Sequence, residues 1–590
     1  MPINRQADSD QWLKTAWPAA FSTTTSTEAS NLCLAEPAAR KLAEFFEAKG
    51  LAALKQEDKT EQWYEDFLAY QSKHRLYASV LAPKLSGDSG RQFDLLRYAR
   101  FLEVFGYFSP AHAYSLQTTF LALFSILMGS NDGLKAQAVA ALEAGGLLAF
   151  GVSEKKHGSD LFANEFTIQS TGEGQWSATG SKYYIGNANC AAMISVLARK
   201  IEAGSGSAPQ RRSPFVLFAL RPGQSTGITA LKKIRTLGVR AAFVGAFDVK
   251  DYQFSGTDIA GEGRPAWEAV MGTVTLGKFF LGFGSIGICE HAYDEAVTHM
   301  KTRTLYGSPV LAMPHIRFLA AQACARLIAM KLFAYRALDY LHAARAEDRR
   351  YLLYCAVQKA KVSTEGVKVM SLLSECVGAK GFESDETYFE MALRDAQLIP
   401  LLESSAHINL GLASQFISRY FGRFDPNLCE PPSLTAGEAT SVENPYLTTA
   451  STTAINSVAF PPFERAFESL ADVPNVRLFL AQAKALQRLV QTKDAMANPE
   501  ARFTLALSSC VATIAYGQLV AENAVLLGVP KEIISAIFHL LVADLSAACL
   551  SLASLPAAPA ATPAFLSAAV AASQTPAGDW DFVSNRIAAG

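Results

Sequence analysis

Apolar residues recur every three or four positions along most of this chain, which is the spacing of one face of an α-helix. The stretch "EPAARKLAEFFEAKGLAALK" illustrates the pattern in a region, about residues 36–145, that predicts several helices. From about residue 150 to 258 the apolar runs are short, rich in β-branched and aromatic residues, and separated by Gly, Pro and Ser. This second pattern predicts a β-domain of antiparallel character.

The helical spacing returns at about residue 264 and continues to about 421. The next segment predicts an extended linker, and a third helical block follows over about residues 461–550. The tail is rich in Ala and Pro and predicts little regular structure. The order is therefore helices, β-domain, helices and an extra helical block, and a length of 590 residues agrees with three or four domains.

Composition narrows the class of function. The chain has 53 basic and 54 acidic residues and a net charge of -1, which favours neither nucleic acid nor an anionic membrane surface as a partner. Nine cysteines without a CxxC motif predict free thiols in a reducing compartment. The N-terminal residues have no apolar stretch typical of a secretory signal, so we expect a cytoplasmic protein.

Two long uncharged runs, residues 104–131 and 503–521, approach the length of a membrane span. Both contain Ser and Gln, and neither has flanking basic clusters. We therefore predict buried core helices at both places and no membrane span.

Familiar cofactor and metal motifs are weak in this sequence. "GFGSIG" at residues 282–287 matches GxGxxG, but no strand precedes it, so small residues that let helices pack closely explain it better than a dinucleotide site. His291 and His299 have no third ligand nearby in sequence, and no metal site is predicted.

A lone carboxylate, Glu403, stands inside the otherwise apolar run "RDAQLIPLLESSAHINL" (residues 394–410). One interpretation is a helix-start carboxylate, which the positive end of the helix dipole favours. The other is a catalytic base whose pKa is raised by apolar surroundings. His407, four residues on, would share a helical face with Glu403 and is the other local titratable group that could take part.

The loop "FGVSEKKHGSD" (residues 150–160) opens the β-domain directly after a helix. Its hydroxyls, its backbone donors and its closing Gly-Ser-Asp suit a phosphate or a flat polar heterocycle. An ordinary Gly-Ser-Asp turn is the alternative.

Five stretches, in this order along the chain, resemble the acyl-CoA dehydrogenase family of FAD flavoenzymes over about residues 36–420. They are "LLAFGVSEKKHGSD", "WSATGSKYYIGNA", "RTLGVRAAFVGAFDVKDYQF", "GSIGICEHAYDEAVTHMKTRTLYGSPV" and "VGAKGFESDETYFEMALRDAQLIPLLESS". The resemblance implies an α+β, mostly α fold. Its expected parts are an N-terminal helical domain (1–148), a central antiparallel β-barrel domain lining the flavin (149–262), a four-helix bundle with the catalytic base (263–421) and an additional C-terminal helical domain (422–590).

The resemblance also implies roles for individual residues. Glu403 matches the glutamate that removes the α-proton of an acyl thioester. Ser159, Thr275 and Lys278 match substrate-binding positions. The implied FAD-binding positions are Phe150, Val152, Ser153, Gly158, Ser159, Tyr184, Ile185, Gly186, Arg303, Glu375, Gly378, Ala379, Ser404 and Ser405. Of these, Arg303, Glu375, Gly378 and Ala379 would reach the FAD of a neighbouring subunit.

Several positions depart from the family pattern. Gly186 lacks the hydroxyl that often contacts flavin N5, and Glu375 puts a negative charge near a pyrophosphate, which is unfavourable unless it is paired. Pro314 replaces a glutamine, and Ser404 and Ser405 replace Gly-Thr. FAD remains the expected cofactor, whereas an acyl carrier protein could replace CoA as the carrier of the acyl group.

The leading hypothesis is FAD-dependent α,β-dehydrogenation of an acyl-CoA, with electron-transfer flavoprotein as the electron acceptor. One alternative is an acyl-CoA oxidase that uses O₂. Another, from a different class, is a flavin-free protein that binds acyl thioesters as a scaffold. The block after residue 422 resembles the extra domain of very-long-chain acyl-CoA dehydrogenases and acyl-CoA oxidases, and it implies a homodimer.

Overall fold

The computed structural model describes residues 11–18, 36–83, 91–202, 212–223, 227–422, 424–425, 427–439, 444, 446–449, 458–497, 500–559, 562–574 and 576–589. The fold is mostly helical with one central sheet. The described cores of the helical parts are continuous with one another, and the sheet has a second, smaller core of its own.

Helices form the N-terminal part, as predicted, together with a short hairpin that the sequence did not predict. The helices are α1 (Gln11–Thr15), α2 (Pro37–Lys49), α3 (Leu51–Thr60), α4 (Glu65–His74), α5 (Leu95–Phe108), α6 (Pro110–Leu127) and α7 (Asp132–Glu143), and the hairpin pairs β1 (Leu81–Pro83) with β2 (Arg91–Phe93). Asp94 starts α5 by accepting the N–H of Arg97, and Asn131 starts α7 by accepting the N–H of Leu134.

The central sheet has eight strands in the order β10-β7-β6-β4-β5-β9-β8, with β3 beside β6. Its strands are β3 (Leu148–Gly151), β4 (Thr167–Gly172), β5 (Gln175–Gly186), β6 (Met193–Lys200), β7 (Phe215–Leu220), β8 (Ile228–Lys233), β9 (Val244–Ser255) and β10 (Ile259–Glu262). The expected antiparallel barrel is wrong in two respects. The sheet is mixed, because β6 runs parallel to both β3 and β4. It is also open, because no described pairing joins the edge strands β8 and β10.

A bundle of long helices follows the sheet. It contains α8 (Arg264–Thr302), α9 (Pro314–His342), α10 (Tyr351–Val357), α11 (Ser363–Val377) and α12 (Phe389–Leu398). A π-helical segment, Gln358–Val362, joins α10 to α11, and a hairpin of β11 (Thr304–Leu305) and β12 (Ser308–Pro309) joins α8 to α9. Between α8 and α5, a Cβ on Gly287 would collide with the Glu103 carbonyl, so the "GFGSIG" glycines serve close helix packing, as the sequence predicts.

The remaining helices are α13 (Ala406–Ser414), α14 (Ile417–Gly422), α15 (Tyr446–Thr449), α16 (Pro474–Val490), α17 (Lys493–Met496), α18 (Ala501–Leu527), α19 (Lys531–Ala553), α20 (Thr562–Ala569) and α21 (Ala577–Ala589). Helices α18 and α19 pack against α9 of the bundle. Arg336 of α9 lies at this contact, fully buried, and its guanidinium donates to Glu522 at 3.0 Å, to Asp339 at 3.0 Å and to the Pro431 carbonyl at 2.9 Å.

Four described helices, α8, α9, α18 and α19, are long and apolar enough to cross a membrane by length and composition alone. Between 67% and 78% of the most apolar window of each is buried inside the protein. The run at residues 104–131 instead divides into α5 and α6, where Ser109 and Pro110 interrupt the helix. The absence of a membrane span therefore stays a prediction.

Candidate functional site

Glu403 lies in the turn between α12 and α13. Its φ angle is +49° and that of Ser404 is +75°, which is the left-handed region that non-glycine residues adopt at a cost in free energy. The N-cap of α13 is Ser405, two residues later. Glu403 is therefore outside the first turn of the helix, and the helix-start interpretation of this carboxylate is wrong.

Side chains from two other segments hold this turn. The Lys359 ammonium, fully buried in the π-helical segment, donates to the Ile399 carbonyl at the end of α12. The Asn409 amide, also fully buried, donates to the Ser404 hydroxyl at 3.2 Å and to the Ser405 carbonyl at 3.0 Å. Both ends of the strained turn are thus tied to buried polar groups.

Two opposing effects act on the pKa of the Glu403 carboxyl. Burial raises the pKa of its carboxyl, while the positive charges of Lys359 and Lys278 act to lower it. Burial also lowers the pKa of Lys359 to about 7, against the attraction of Glu403. Burial and the two nearby ammonium groups thus act in opposite directions on the pKa of the Glu403 carboxyl, as is typical of a carboxylate tuned for proton transfer.

The two predicted substrate positions on α8 differ in burial. Thr275 is half-buried and its hydroxyl donates to the Met271 carbonyl at 2.9 Å. Lys278, one turn further along, is only 4% exposed and lies close enough to Glu403 for the two charges to interact. Lys278 therefore stands beside the carboxylate and not at the protein surface; a role in substrate binding stays a prediction.

His407 does not share a helical face with Glu403, because only His407 belongs to α13. Its ring is exposed and bonds the Ser405 hydroxyl, with Nδ1 3.0 Å from Oγ. The expected i, i+4 relation between these two residues is thus wrong, and the reason is the turn that precedes the helix.

The two predicted flavin-lining strands meet as expected. Phe150 and Val152 are buried at the end of β3, and the Ser153 carbonyl accepts the N–H of Tyr183 at 2.9 Å. This bond joins the loop after β3 to the end of β5, where Tyr184 and Ile185 lie. The Tyr184 ring is 58% exposed and its φ is +65°, whereas Ile185 is buried.

Gly186 is placed where a side chain would meet helix α6. A Cβ on this glycine would lie 2.6 Å from Tyr114 Cε1 and 2.6 Å from Thr118 Oγ1. The charge of Glu403 also acts on the Tyr114 hydroxyl and raises its pKa, so Tyr114 packs against Gly186 and lies near enough to the carboxylate to interact with it. The missing side chain at residue 186 is therefore a packing requirement of this chain.

The predicted phosphate loop is anchored at one end and open at the other. Glu154 accepts the Lys182 ammonium at 3.0 Å and the backbone N–H groups of Glu165 and Phe166. Gly158 and Ser159 are exposed, and a Cβ on Gly158 would meet nothing within 4 Å.

One described group of side chains, Glu154, His157 and Glu165, has its potential ligand atoms within 4.8 Å of one another. Both oxygens of Glu154 already accept hydrogen bonds from Lys182 or the backbone. The three side chains therefore lie close together because Glu154 anchors the loop.

The four residues predicted to reach a neighbouring FAD all lie at the surface. Arg303, Glu375, Gly378 and Ala379 are exposed. The pKa of His299 is lowered by burial and then by the charges of Arg303 and Lys380, so these three basic groups lie near one another. The unfavourable charge expected of Glu375 near a pyrophosphate stays a prediction.

Arg394 and Asp395 connect three parts of the fold just ahead of the Glu403 turn. Arg394 pairs with Asp58 of α3 at 2.6 Å and donates to the Leu237 carbonyl at 3.2 Å. Asp395 is buried and accepts the N–H of Val239 at 2.7 Å. Helix α12, which precedes the Glu403 turn, is thereby fixed to the N-terminal helices and to the loop between β8 and β9.

Three polar residues of this part of the fold were not predicted from the sequence: Tyr114, Gln358 and Lys359. Gln358 is fully buried, and neither its amide oxygen nor its amide nitrogen has a hydrogen-bond partner among the described residues. Gln358 and Lys359 stand in "YLLYCAVQKAKV", where two polar residues after a buried apolar run are a readable signal. Tyr114 has no local signal, since its importance depends on Gly186 and Glu403.

Two family models match this chain. The model for the acyl-CoA dehydrogenase middle domain matches residues 149–252, and that for the acyl-CoA dehydrogenase C-terminal domain matches residues 266–416. These ranges contain the sheet and the bundle, including Glu403.

Relatives and solved structures agree with these models. The chain is similar to cyclohex-1-ene-1-carbonyl-CoA dehydrogenase of Syntrophus aciditrophicus (strain SB), with 24% identity over 56% of this chain and 77% of the relative. It is similar to mitochondrial short-chain specific acyl-CoA dehydrogenase of Bos taurus, with 25% identity over 56% and 78%. The structure of an acyl-CoA dehydrogenase complexed with FAD from Bacillus anthracis covers 94% of this chain and 93% of its own, with a TM-score of 0.71 and 14% identity. This last likeness shows the fold, including the C-terminal block.

Proposed function

We propose that this chain, which carries the middle and C-terminal domains of the acyl-CoA dehydrogenase family of FAD-dependent oxidoreductases, introduces an α,β double bond into an acyl-CoA. The observation that carries the proposal is Glu403. It is held in a left-handed turn, burial raises the pKa of its carboxyl, and its charge acts on Tyr114, which packs against Gly186 at the end of β5.

The residues of this chain fit FAD. The ends of β3 and β5 meet through the bond between Ser153 and Tyr183 and offer apolar side chains beside an exposed aromatic ring, Tyr184. The open loop at Gly158 and Ser159 offers polar donors for phosphate oxygens. When bound, FAD supplies the hydride acceptor that no protein side chain can provide.

Glu403 would take the α-proton of the acyl thioester. An α-C–H beside a thioester is a very weak acid, so its removal needs a poised base and donors for the charge that develops on the carbonyl oxygen. Loss of the α-proton to Glu403 and of the β-hydrogen as hydride leaves the α,β-unsaturated thioester.

The Glu403→Gln variant tests this proposal. The carboxamide keeps the size and polarity of the side chain but cannot accept a proton at neutral pH. We expect bound FAD and an unchanged fold, with flavin reduction by acyl thioesters slower by about 10²–10⁴-fold or more under anaerobic conditions.

The matched control is His407→Ala, which removes the other titratable side chain within four residues of Glu403 in the sequence. Because His407 is exposed and bonded to Ser405, this variant should reduce flavin at the parent rate. Reduction by Glu403→Gln at nearly the parent rate would contradict the assigned base.

The electron acceptor and the acyl carrier separate two alternatives with the same first step. In an acyl-CoA oxidase, O₂ would rapidly reoxidise the reduced flavin, whereas a dehydrogenase would need electron-transfer flavoprotein for this step. An acyl carrier protein thioester could take the place of acyl-CoA. Anaerobic titration with both kinds of thioester, followed by addition of O₂ or the acceptor protein, distinguishes these outcomes.

A flavin-free protein that binds acyl thioesters remains the alternative from another class. Gly186, Pro314 and Glu375 are the sequence features that favour it. Tyr114 and Thr118 account for Gly186 by packing. A colourless purified protein that takes up no added FAD would support this alternative.

We further propose a cytoplasmic homodimer in which Arg303 reaches the FAD of its partner. Support comes from the exposed hairpin after α8, where Tyr306 is 99% exposed, and from the exposed turn at Gly378. The free thiols of all eight described cysteines suit a reducing compartment.

A further inference from the structure

Lys359 is a buried lysine whose ammonium contacts no carboxylate among the residues that the structure describes. It lies fully buried in the π-helical segment Gln358–Val362, an uncommon element that occurs often at functional sites. Its ammonium donates to the Ile399 carbonyl, and Glu403 is the acidic group whose charge acts on it. A buried ammonium held by a carbonyl alone is costly unless an opposite charge lies near.

The same π-helical segment also contains Lys361, which faces away from the site. Its ammonium lies 3.4 Å from Glu365 and 5.6 Å from the Tyr516 ring centroid, toward α18 of the C-terminal block. Two lysines of one segment thus serve different faces, and only Lys359 turns toward Glu403.

We propose that Lys359 is a positioning residue for Glu403, anchoring the carbonyl at the start of the Glu403 turn and keeping a positive charge beside the carboxylate so that the base is ionised in the resting enzyme. The inference rests on the proposed function, because it assigns a role to Lys359 in the same proton transfer.

The titratable side chains that interact with Glu403 lie on four elements. Lys359 lies on the π-helical segment, Lys278 on α8, Tyr98 on α5 and Tyr114 on α6. Burial raises the pKa of both tyrosines, so they are neutral at physiological pH. The two lysines are therefore the charged groups that act on Glu403 among the described residues.

Lys359 carries its charge on the acid side of neutral pH. Its pKa, lowered to about 7 by burial, leaves the ammonium charged below that pH. Glu403 must lose its proton to act, so flavin reduction rises with pH through the pKa of Glu403. Removal of the positive charge raises that pKa and moves the rise to higher pH.

Two variants separate the charge from the anchor. Lys359→Gln keeps a donor for the Ile399 carbonyl and removes the charge, whereas Lys359→Met removes both. We expect both variants to shift the acid limb of the anaerobic flavin-reduction profile upward by about one pH unit. Only Lys359→Met should also show a clearly lower thermal midpoint.

Lys361→Met is the matched control, since it changes a lysine of the same segment that faces the C-terminal block. It should leave the acid limb at the parent pH. The proposal is overturned if folded, flavin-bound Lys359→Gln keeps the parent limb, or if Lys361→Met shifts the limb equally.

A second readout does not depend on turnover. Infrared difference spectra between each protein and its Glu403→Gln counterpart follow protonation of the Glu403 carboxyl directly. An upward shift of that titration in Lys359→Gln supports the link even if no acyl thioester reduces the parent, in which case only the proposed function fails. An unchanged titration overturns the link itself.

Discussion

At the residue scale, the clearest departure from the family pattern is Gly186, which lacks a side-chain hydroxyl and packs against Tyr114. The backbone of β5 approaches α6 so closely that no side chain fits at residue 186. Tyr114 fills that space, and it is near enough to Glu403 for the two groups to interact. The identities of these two residues therefore depend on one another.

We predict that Gly186→Thr lowers the free energy of unfolding by about 1–3 kcal/mol, the usual cost of forcing extra atoms into a packed interior. The new Cβ would meet Tyr114 and Thr118 at 2.6 Å, a separation that requires one of them to move. The measurement is the thermal midpoint of the FAD-free and FAD-bound proteins.

The double variant Gly186→Thr/Tyr114→Ala is the control for this prediction. Removing the ring makes room for the threonine, so the double variant should lose less stability than the sum of the two single changes. Simple additivity would show that Tyr114 is not what excludes a side chain at residue 186.

At the element scale, buried ion pairs attach the C-terminal block to the bundle. Arg326 of α9 contacts Glu365 of α11 at 2.6 Å and Asp544 of α19 at 2.8 Å, and the Arg326 and Glu365 side chains are 12% and 2% exposed. Lys368 contacts the same two carboxylates from the outside, with 44% of its side chain exposed. Arg326 therefore contacts both acidic groups at the junction, and Lys368 adds a second positive charge.

We predict that Arg326→Met destabilises the protein by about 3–5 kcal/mol, because it leaves buried carboxylates without their main partner. Scanning calorimetry should show a lower midpoint, and hydrogen exchange should become faster in α19. Lys368→Met is the matched control and should cost about 0–1 kcal/mol, as exposed pairs do. Equal losses in the two variants would contradict the stated role of burial.

At the scale of the whole molecule, one surface combines the exposed hairpin after α8 with the exposed turn after α11. Tyr306 at the hairpin tip is 99% exposed, and Phe382 near the turn is 73% exposed. Arg303 lies at the base of the hairpin with its side chain in solvent. Large exposed aromatic side chains beside basic groups are typical of a surface that contacts another molecule.

We predict a homodimer by light scattering, with a mass twice the 63.5 kDa of one chain. Arg303→Ala should weaken FAD binding without lowering the thermal midpoint of the FAD-free protein, because the side chain is exposed in its own chain. Lys484→Ala, which removes an exposed cation from α16, is the control and should leave FAD affinity unchanged. A monomer at micromolar concentration, or equal FAD affinity in both variants, would contradict the proposed dimer.

The sequence by itself determined the order of the parts and the main acidic residue of the site. Helical and strand periodicities are local, so they predicted the N-terminal helices, the sheet and the bundle in the order observed. The five stretches in order predicted FAD chemistry, and the family matches cover the sheet and bundle segments among them. The apolar run around Glu403 marked its carboxylate without any knowledge of its neighbours.

Tertiary structure alone decided how that carboxylate is held and what surrounds it. Glu403 stands in a strained turn, and Lys359, Lys278 and Tyr114 reach it from segments distant in sequence. The open, mixed sheet replaced the expected barrel because closure depends on which strand edges meet. Local periodicity specifies a strand but not its partner, and it specifies a buried charge but not the group that balances it.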